Sequence, residues 1–166
     1  MKVFKEEQRF TQTWLIVLLS ISTIIPLIIM FTEYYKGKTS LNELLLTIGI
    51  VVVSCGFIFF FKLKTRIDEI GIHYQFLPFH LSFKSINWTK INKAYVKTYD
   101  PIGDFGGWGL KGGSLWNKSK GKAINVSGDI GIQLELKNGQ KLLIGTKKEN
   151  EAKQVLVNYN TKIKTS

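Results

Sequence analysis

The segment from Asp100 to Gly113 sets two carboxylates, Asp100 and Asp104, and one indole, Trp108, among six glycines in fourteen residues. Carboxylates accept hydrogen bonds and an indole offers a broad apolar face, so the three suit a loop that binds a protein partner. The same pattern suits a bulged connection in which glycines supply positive φ and Asp100-Pro101 opens a turn. The glycines at 103, 106, 107 and 109 do not open a helix after a strand, so no dinucleotide site follows. A second group, Lys111, Trp116, Lys118, Lys120 and Lys122, surrounds an indole with lysines. It reads either as contact with lipid headgroups or as an exposed hairpin tip. His73 and His80 stand across a predicted turn with no cysteine beside them, and they read as structural histidines rather than metal ligands. Asp68 and Glu69 are adjacent, which on a strand points them to opposite faces. No Ser-His-Asp or Cys-His set suggests itself. The expectation is a chain without catalytic, cofactor or metal site, and not an enzyme.

The elements that must position these residues fall into two kinds. Phe10 to Thr32 and Leu44 to Phe61 are apolar stretches without a single Asp, Glu, Lys or Arg. At about 1.5 Å per residue each crosses, or nearly crosses, a hydrocarbon core of roughly 30 Å. The thirteen Leu, Ile, Val and Phe residues of the second favour insertion by about 5 kcal/mol in all. Two transmembrane helices are predicted, over about residues 11–32 and 42–61, within a hairpin domain of residues 1–64. A cleaved signal peptide fits poorly, because Glu6 and Glu7 stand in the leader and bulky residues follow the first stretch. Lys2, Lys5 and Arg9 precede the hairpin and Lys62, Lys64 and Arg66 follow it, against Lys36 and Lys38 in its connection. Both termini are therefore expected in the cytoplasm. Small residues, Ser20, Ser22 and Thr23 facing Gly49, Ser54 and Gly56, are expected to let the helices approach, and Pro26 to bend the first. The absence of intramembrane charge speaks against transporter and channel readings.

Residues 65–166 change character. The chain carries a net charge of +11, and ten of those charges fall after residue 61. Lysines beside an anionic bilayer are worth up to about 1 kcal/mol each. They are scattered, and no nucleic-acid-binding signature accompanies them, so no nucleic-acid partner is expected. Alternation predicts strands at Ile72–Phe76, Leu81–Ser85, Lys93–Tyr99, Ile124–Val126 and Ile130–Leu136. Asn138-Gly139 marks a hairpin. A three-residue loop, Lys137-Asn138-Gly139, pairs Leu134 with Leu142 and Ile132 with Ile144, whereas a two-residue loop would put Lys141 on the apolar face. Thr146 to Glu149 matches a capping box for a closing helix, whose Ala152, Val155, Leu156 and Tyr159 form one apolar stripe.

Two membrane helices followed by six or seven antiparallel strands and one helix resemble small bacterial membrane proteins that carry a PH-like domain. The resemblance rests on this layout, on Ile86-Asn87-Trp88-Thr89-Lys90-Ile91 before a strand, on Tyr99 to Gly109, and on the closing hairpin and helix. It implies an α+β domain, a PH-like roll or barrel, held by an α-helical hairpin at the cytoplasmic face of a bacterial inner membrane. It carries over no ligand residues and no cofactor. The expected function is a non-enzymatic interaction module that binds another protein or itself, with the lipid bilayer as its second partner. The alternative is an accessory subunit of a membrane enzyme or transporter, recruited through its hairpin.

Overall fold

The computed structural model describes residues 3–112 and 121–164. In chain order the elements are β1 (Phe4–Arg9), α1 (Thr13–Tyr35), α2 (Leu41–Phe57, continued by a 3-10 turn to Phe60), β2 (Lys62–Ile67), β3 (Gly71–Leu77) and β4 (Lys84–Asn87). A 3-10 turn at Trp88–Lys90 leads into β5 (Ile91–Thr98), α3 (Pro101–Phe105), β6 (Gly109–Lys111), β7 (Lys122–Asn125), β8 (Ile130–Leu136), β9 (Lys141–Gly145) and α4 (Glu149–Lys164). They group into two compact units, Phe10–Phe61, and Met1–Arg9 with Lys62–Ser166. The boundary expected after residue 64 thus falls after Phe61. The N-terminal residues join the later unit, because β1 is hydrogen-bonded along its whole length to β2, from Phe4 opposite Ile67 to Arg9 opposite Lys62.

In the helical unit, α1 and α2 are both long and apolar enough to cross a bilayer. No residue of α1 is buried, and in α2 only Leu44 is. Ser40 and Glu43 start α2 with a reciprocal cap, Ser40 N–H donating to Glu43 Oε2 at 2.8 Å and Glu43 N–H to Ser40 Oγ at 3.3 Å. Among the small residues expected at the contact, Thr23 brings its Oγ1 to 3.0 Å from Cys55 Sγ, while its hydroxyl donates to Leu19 O of its own helix at 2.7 Å. The close approach expected at Gly49 and Gly56 is not made there, since a Cβ on either would meet nothing within 4 Å. Ser22 and Ser54 return their hydroxyls to Leu19 and Ile50 carbonyls of their own helices.

The second unit holds nine strands among the described residues, in two open sheets rather than one roll of six or seven. Sheet one runs β1-β2-β3-β4, all antiparallel. Sheet two runs β5-β8-β9-β7-β6 and is mixed, because β7 lies parallel to β9. The hairpin has the register expected of a three-residue loop, Leu134 opposite Leu142 and Ile132 opposite Ile144, with Gly139 at φ +81°. The strand expected at 81–85 begins later, at Lys84. Phe4, Leu63, Ile67, Ile72 and Phe76 of sheet one are buried, as are Ile124, Ile132, Leu134 and Ile144 of sheet two.

The stripe of α4 is buried as expected, at Ala152, Val155, Leu156 and Tyr159. Tyr159 stacks on Trp88 with centroids 5.2 Å apart, and the Trp88 indole donates to Asp68 O at 2.9 Å. Capping differs from the expected box. Thr146 Oγ1 accepts from Lys148 N–H at 3.0 Å and donates to Glu6 Oε2 at 2.6 Å, while Glu6 Oε1 accepts from Lys147 N–H at 2.8 Å. A carboxylate from β1 therefore caps the approach to α4, and Glu149 pairs instead with Lys153 at 2.6 Å.

Candidate functional site

The glycine-rich segment folds into α3 and a return. Asp100 caps the helix, Oδ1 accepting from Ile102 N–H at 3.0 Å, and its own N–H donates to Asp104 Oδ2 at 3.1 Å. Gly106, at φ +70°, and Gly107, at φ +111°, close the far end, their N–H groups reaching Ile102 O and Pro101 O. A left-handed closure of this kind is why glycine stands at both positions. Trp108 donates its indole N–H to Gly128 O at 3.0 Å. Asn125 links the two sides, its Nδ2 donating to Tyr99 Oη at 2.7 Å and its Oδ1 accepting from Gly109 N–H at 2.9 Å. Phe105 packs on a small cluster of Tyr99, Ala123 and Leu143 on the outer face of sheet two. Burial pushes the Tyr99 pKa up, against the Asn125 hydrogen bond, so the ring stays a neutral phenol.

The return of α3 over the sheet leaves a cleft of about 300 Å³, lined by Tyr95, Lys97, Asp104, Phe105, Gln133, Glu135 and Lys141. That is the lower end of the range for ligand pockets. The strand residues are outer-face positions of β5, β8 and β9, brought together by pairing Tyr95 with Gln133 and Glu135 with Lys141. Tyr95 donates to Glu135 Oε1 at 3.2 Å, and burial, helped by that carboxylate, raises its pKa. Two ammonium groups, two carboxylates and a phenol around one hollow suit the mixed polar groups of a protein segment. Of the three residues expected to bind a partner, Asp104 lines the cleft, Asp100 is joined to it through the cap, and Trp108 is tied to the turn at Gly128. The polar positions Gln133 and Glu135 are visible in the alternation of β8. That Tyr95, Lys97 and Lys141 converge on them follows only from the register.

In the lysine group, Trp116, Lys118 and Lys120 lie outside the described residues. Lys111 pairs with Ala123, next to Lys122, so Lys111 and Lys122 point to opposite faces of sheet two and form no common patch. Both lie toward the end of that sheet that carries the Lys137–Gln140 turn.

A set unseen in the sequence also forms. Ser85 Oγ lies 2.6 Å from His73 Nδ1, and His73 Nε2 lies 3.0 Å from Asp68 Oδ1, the order of a nucleophile–base–acid relay. Arg66 Nε adds a 2.8 Å contact to Asp68 Oδ2, and the N–H groups of Ile70 and Gly71 donate to Oδ1. Burial would raise the Asp68 pKa, but the hydrogen bond from His73 and those from the backbone outweigh it and hold the carboxyl below its ordinary value. Ser85 stands directly opposite His73 on the β3–β4 ladder, and the set straps three strands together. His80 is engaged as well, its Nδ1 accepting from Phe76 N–H at 3.3 Å. Among the described residues no group of three His, Cys, Asp or Glu side chains is placed to hold a metal ion.

Comparison with family models, curated proteins and solved structures found no match to this chain.

Proposed function

We propose that this chain is a membrane-anchored, non-enzymatic interaction module: a PH-like domain at the cytoplasmic face of a bacterial inner membrane, held by the α1–α2 hairpin and binding a protein partner or a second copy of itself. The observation that carries the reading is the contrast in solvent matching between the two units. Helices α1 and α2 leave their apolar side chains uncovered, a surface far beyond what a water-soluble protein exposes. The strand-rich unit buries the apolar faces of its two sheets and of α4 in a core and presents a polar cleft. A PH-like arrangement is supported by antiparallel strands followed by a C-terminal helix packed along β5. The cytoplasmic orientation rests on the lysines and arginines that flank the hairpin.

A photoreactive residue placed at Tyr95 in the cleft, and separately at Val53 on α2, tests this in growing cells. The module reading expects a discrete adduct from position 95 that survives exchange of both helices for an unrelated hairpin. An adduct from position 53 alone, lost on that exchange, would replace the reading with an accessory subunit recruited through its helices.

A further inference from the structure

The turn between β3 and β4, residues 78–83, has its polarity reversed. Leu81 is 90% exposed, Phe79 59% and Phe83 46%, while His80 between them is buried at 9%. The turn is nevertheless fastened from within. Gln75, itself buried, donates through Nε2 to His80 O at 3.2 Å and to Leu81 O at 2.9 Å, and His80 N–H donates to Phe76 O at 2.8 Å. Phe79 stacks on Phe76 at 5.8 Å, and the His80 ring meets Tyr74 edge-on at 5.8 Å. A loop whose buried polar groups hold its backbone while its apolar side chains face outward is built for an apolar surrounding rather than for water.

The register states which surrounding. Arg9, Lys62 and Leu77 stand in one row across β1, β2 and β3. The chain leaves sheet one at Arg9 for α1, re-enters it at Lys62 from α2, and starts the 78–83 turn after Leu77, all at this one end. Cations ring the same end. Arg9, Lys62 and Lys64 share the single carboxylate of Glu7, at 3.0, 3.2 and 3.9 Å, and Lys84 follows the turn, which has no carboxylate of its own. Apolar tips amid excess positive charge, at the strand ends from which the chain runs into two membrane-length helices, match the boundary between anionic headgroups and acyl chains.

We propose that Phe79, Leu81 and Phe83 insert into that boundary as a third membrane attachment, one that fixes the tilt of the strand-rich unit on the bilayer. This rests on the membrane-anchor reading above. The test uses the full chain with Cys55→Ser, carrying a single environment-sensitive fluorophore at Leu81→Cys, Lys137→Cys or Val53→Cys. Each is reconstituted into phosphatidylcholine–phosphatidylglycerol vesicles, with and without lipid brominated high on the acyl chain. Position 81 should be quenched at least about three-fold more than position 137, as should position 53, and Phe83→Cys should follow Leu81→Cys. If 53 is quenched but 81 matches 137, the loop does not insert and the proposal falls while the anchor stands. If 53 also matches 137, the anchor reading itself fails and the proposal with it.

Discussion

Two loops of the strand-rich unit solve opposite problems. The segment 100–109 turns its aromatics inward, Phe105 onto Tyr99 and the Trp108 indole onto Gly128, and uses its carboxylates to cap a five-residue helix. The segment 78–83 turns a histidine inward and leaves two phenylalanines and a leucine outside. Both are fastened by hydrogen bonds, so order alone does not distinguish them. What differs is the chemistry of the outer surface: the first exposes one large apolar side chain, Ile102, beside two carboxylates, whereas the second exposes three with no carboxylate among them. An aromatic in a glycine-rich loop is thus no sign of binding until its polar atom is accounted for, and an exposed leucine gains meaning when the backbone beneath it is held by buried groups.

The comparison can be broken most severely at the glycines. Replacing Gly106 and Gly107 together by Val forces two side chains into positive φ and should cost about 2 to 4 kcal/mol, measured as the urea midpoint of the β unit in detergent. A midpoint like wild type would mean that the return of α3 is dispensable. Next, Gln75→Ala leaves the His80 and Leu81 carbonyls without their donor and should cost about 1 to 3 kcal/mol. Hydrogen exchange across 79–83 should speed up while that of 101–109 is unchanged. Smaller still, Trp108→Ala should lose about 1 kcal/mol with its hydrogen bond, and Leu81→Ser less than about 0.5. The reverse order would assign the two loops the wrong way round.

The smallest effect is pH-dependent. Burial, then the nearby Lys84, lowers the His80 pKa below its ordinary 6.5, so the folded state favours the neutral ring that accepts from Phe76 N–H. Its contribution is complete above about pH 6.5 and declines as pH falls from there toward the folded-state value. Stability should decrease as pH falls below about 6.5, and His80→Ala should lose that part of the slope. An unchanged slope would show that the ring is not held neutral.

Much of the later unit was legible because its apolar residues recur at the period of the element that buries them. The α4 stripe and the β8–β9 register both followed from that rule. Strand β1 was not legible, since its inward positions are Phe4, Glu6 and Gln8. Glu6 is buried to serve Thr146 and Lys147, and Gln8 donates to Gly145 O at 2.8 Å, partners that no local pattern reveals. The parallel pairing of β7 with β9 and the Ser85–His73–Asp68 strap likewise depend on which strands become neighbours. Gly49 and Gly56 misled in the other direction. Their small size was read as an interface, but of the residues expected there it is Thr23 that touches the other helix, at Cys55. For the glycine-rich segment, composition was ambiguous by nature: its residues serve equally to bind and to build, and the structural part played by Asp100, Asp104 and Trp108 is visible only in their hydrogen bonds.

The central claim, a strand-rich unit held on the cytoplasmic side by an apolar hairpin, is tested most directly by labelling intact cells with a membrane-impermeant maleimide. In the Cys55→Ser background, cysteine replaces Lys36 in the α1–α2 connection or the exposed Ile102 on α3. The account predicts that Lys36→Cys is labelled in intact cells and Ile102→Cys only after lysis. Labelling of Ile102→Cys in intact cells, with Lys36→Cys protected, would contradict it.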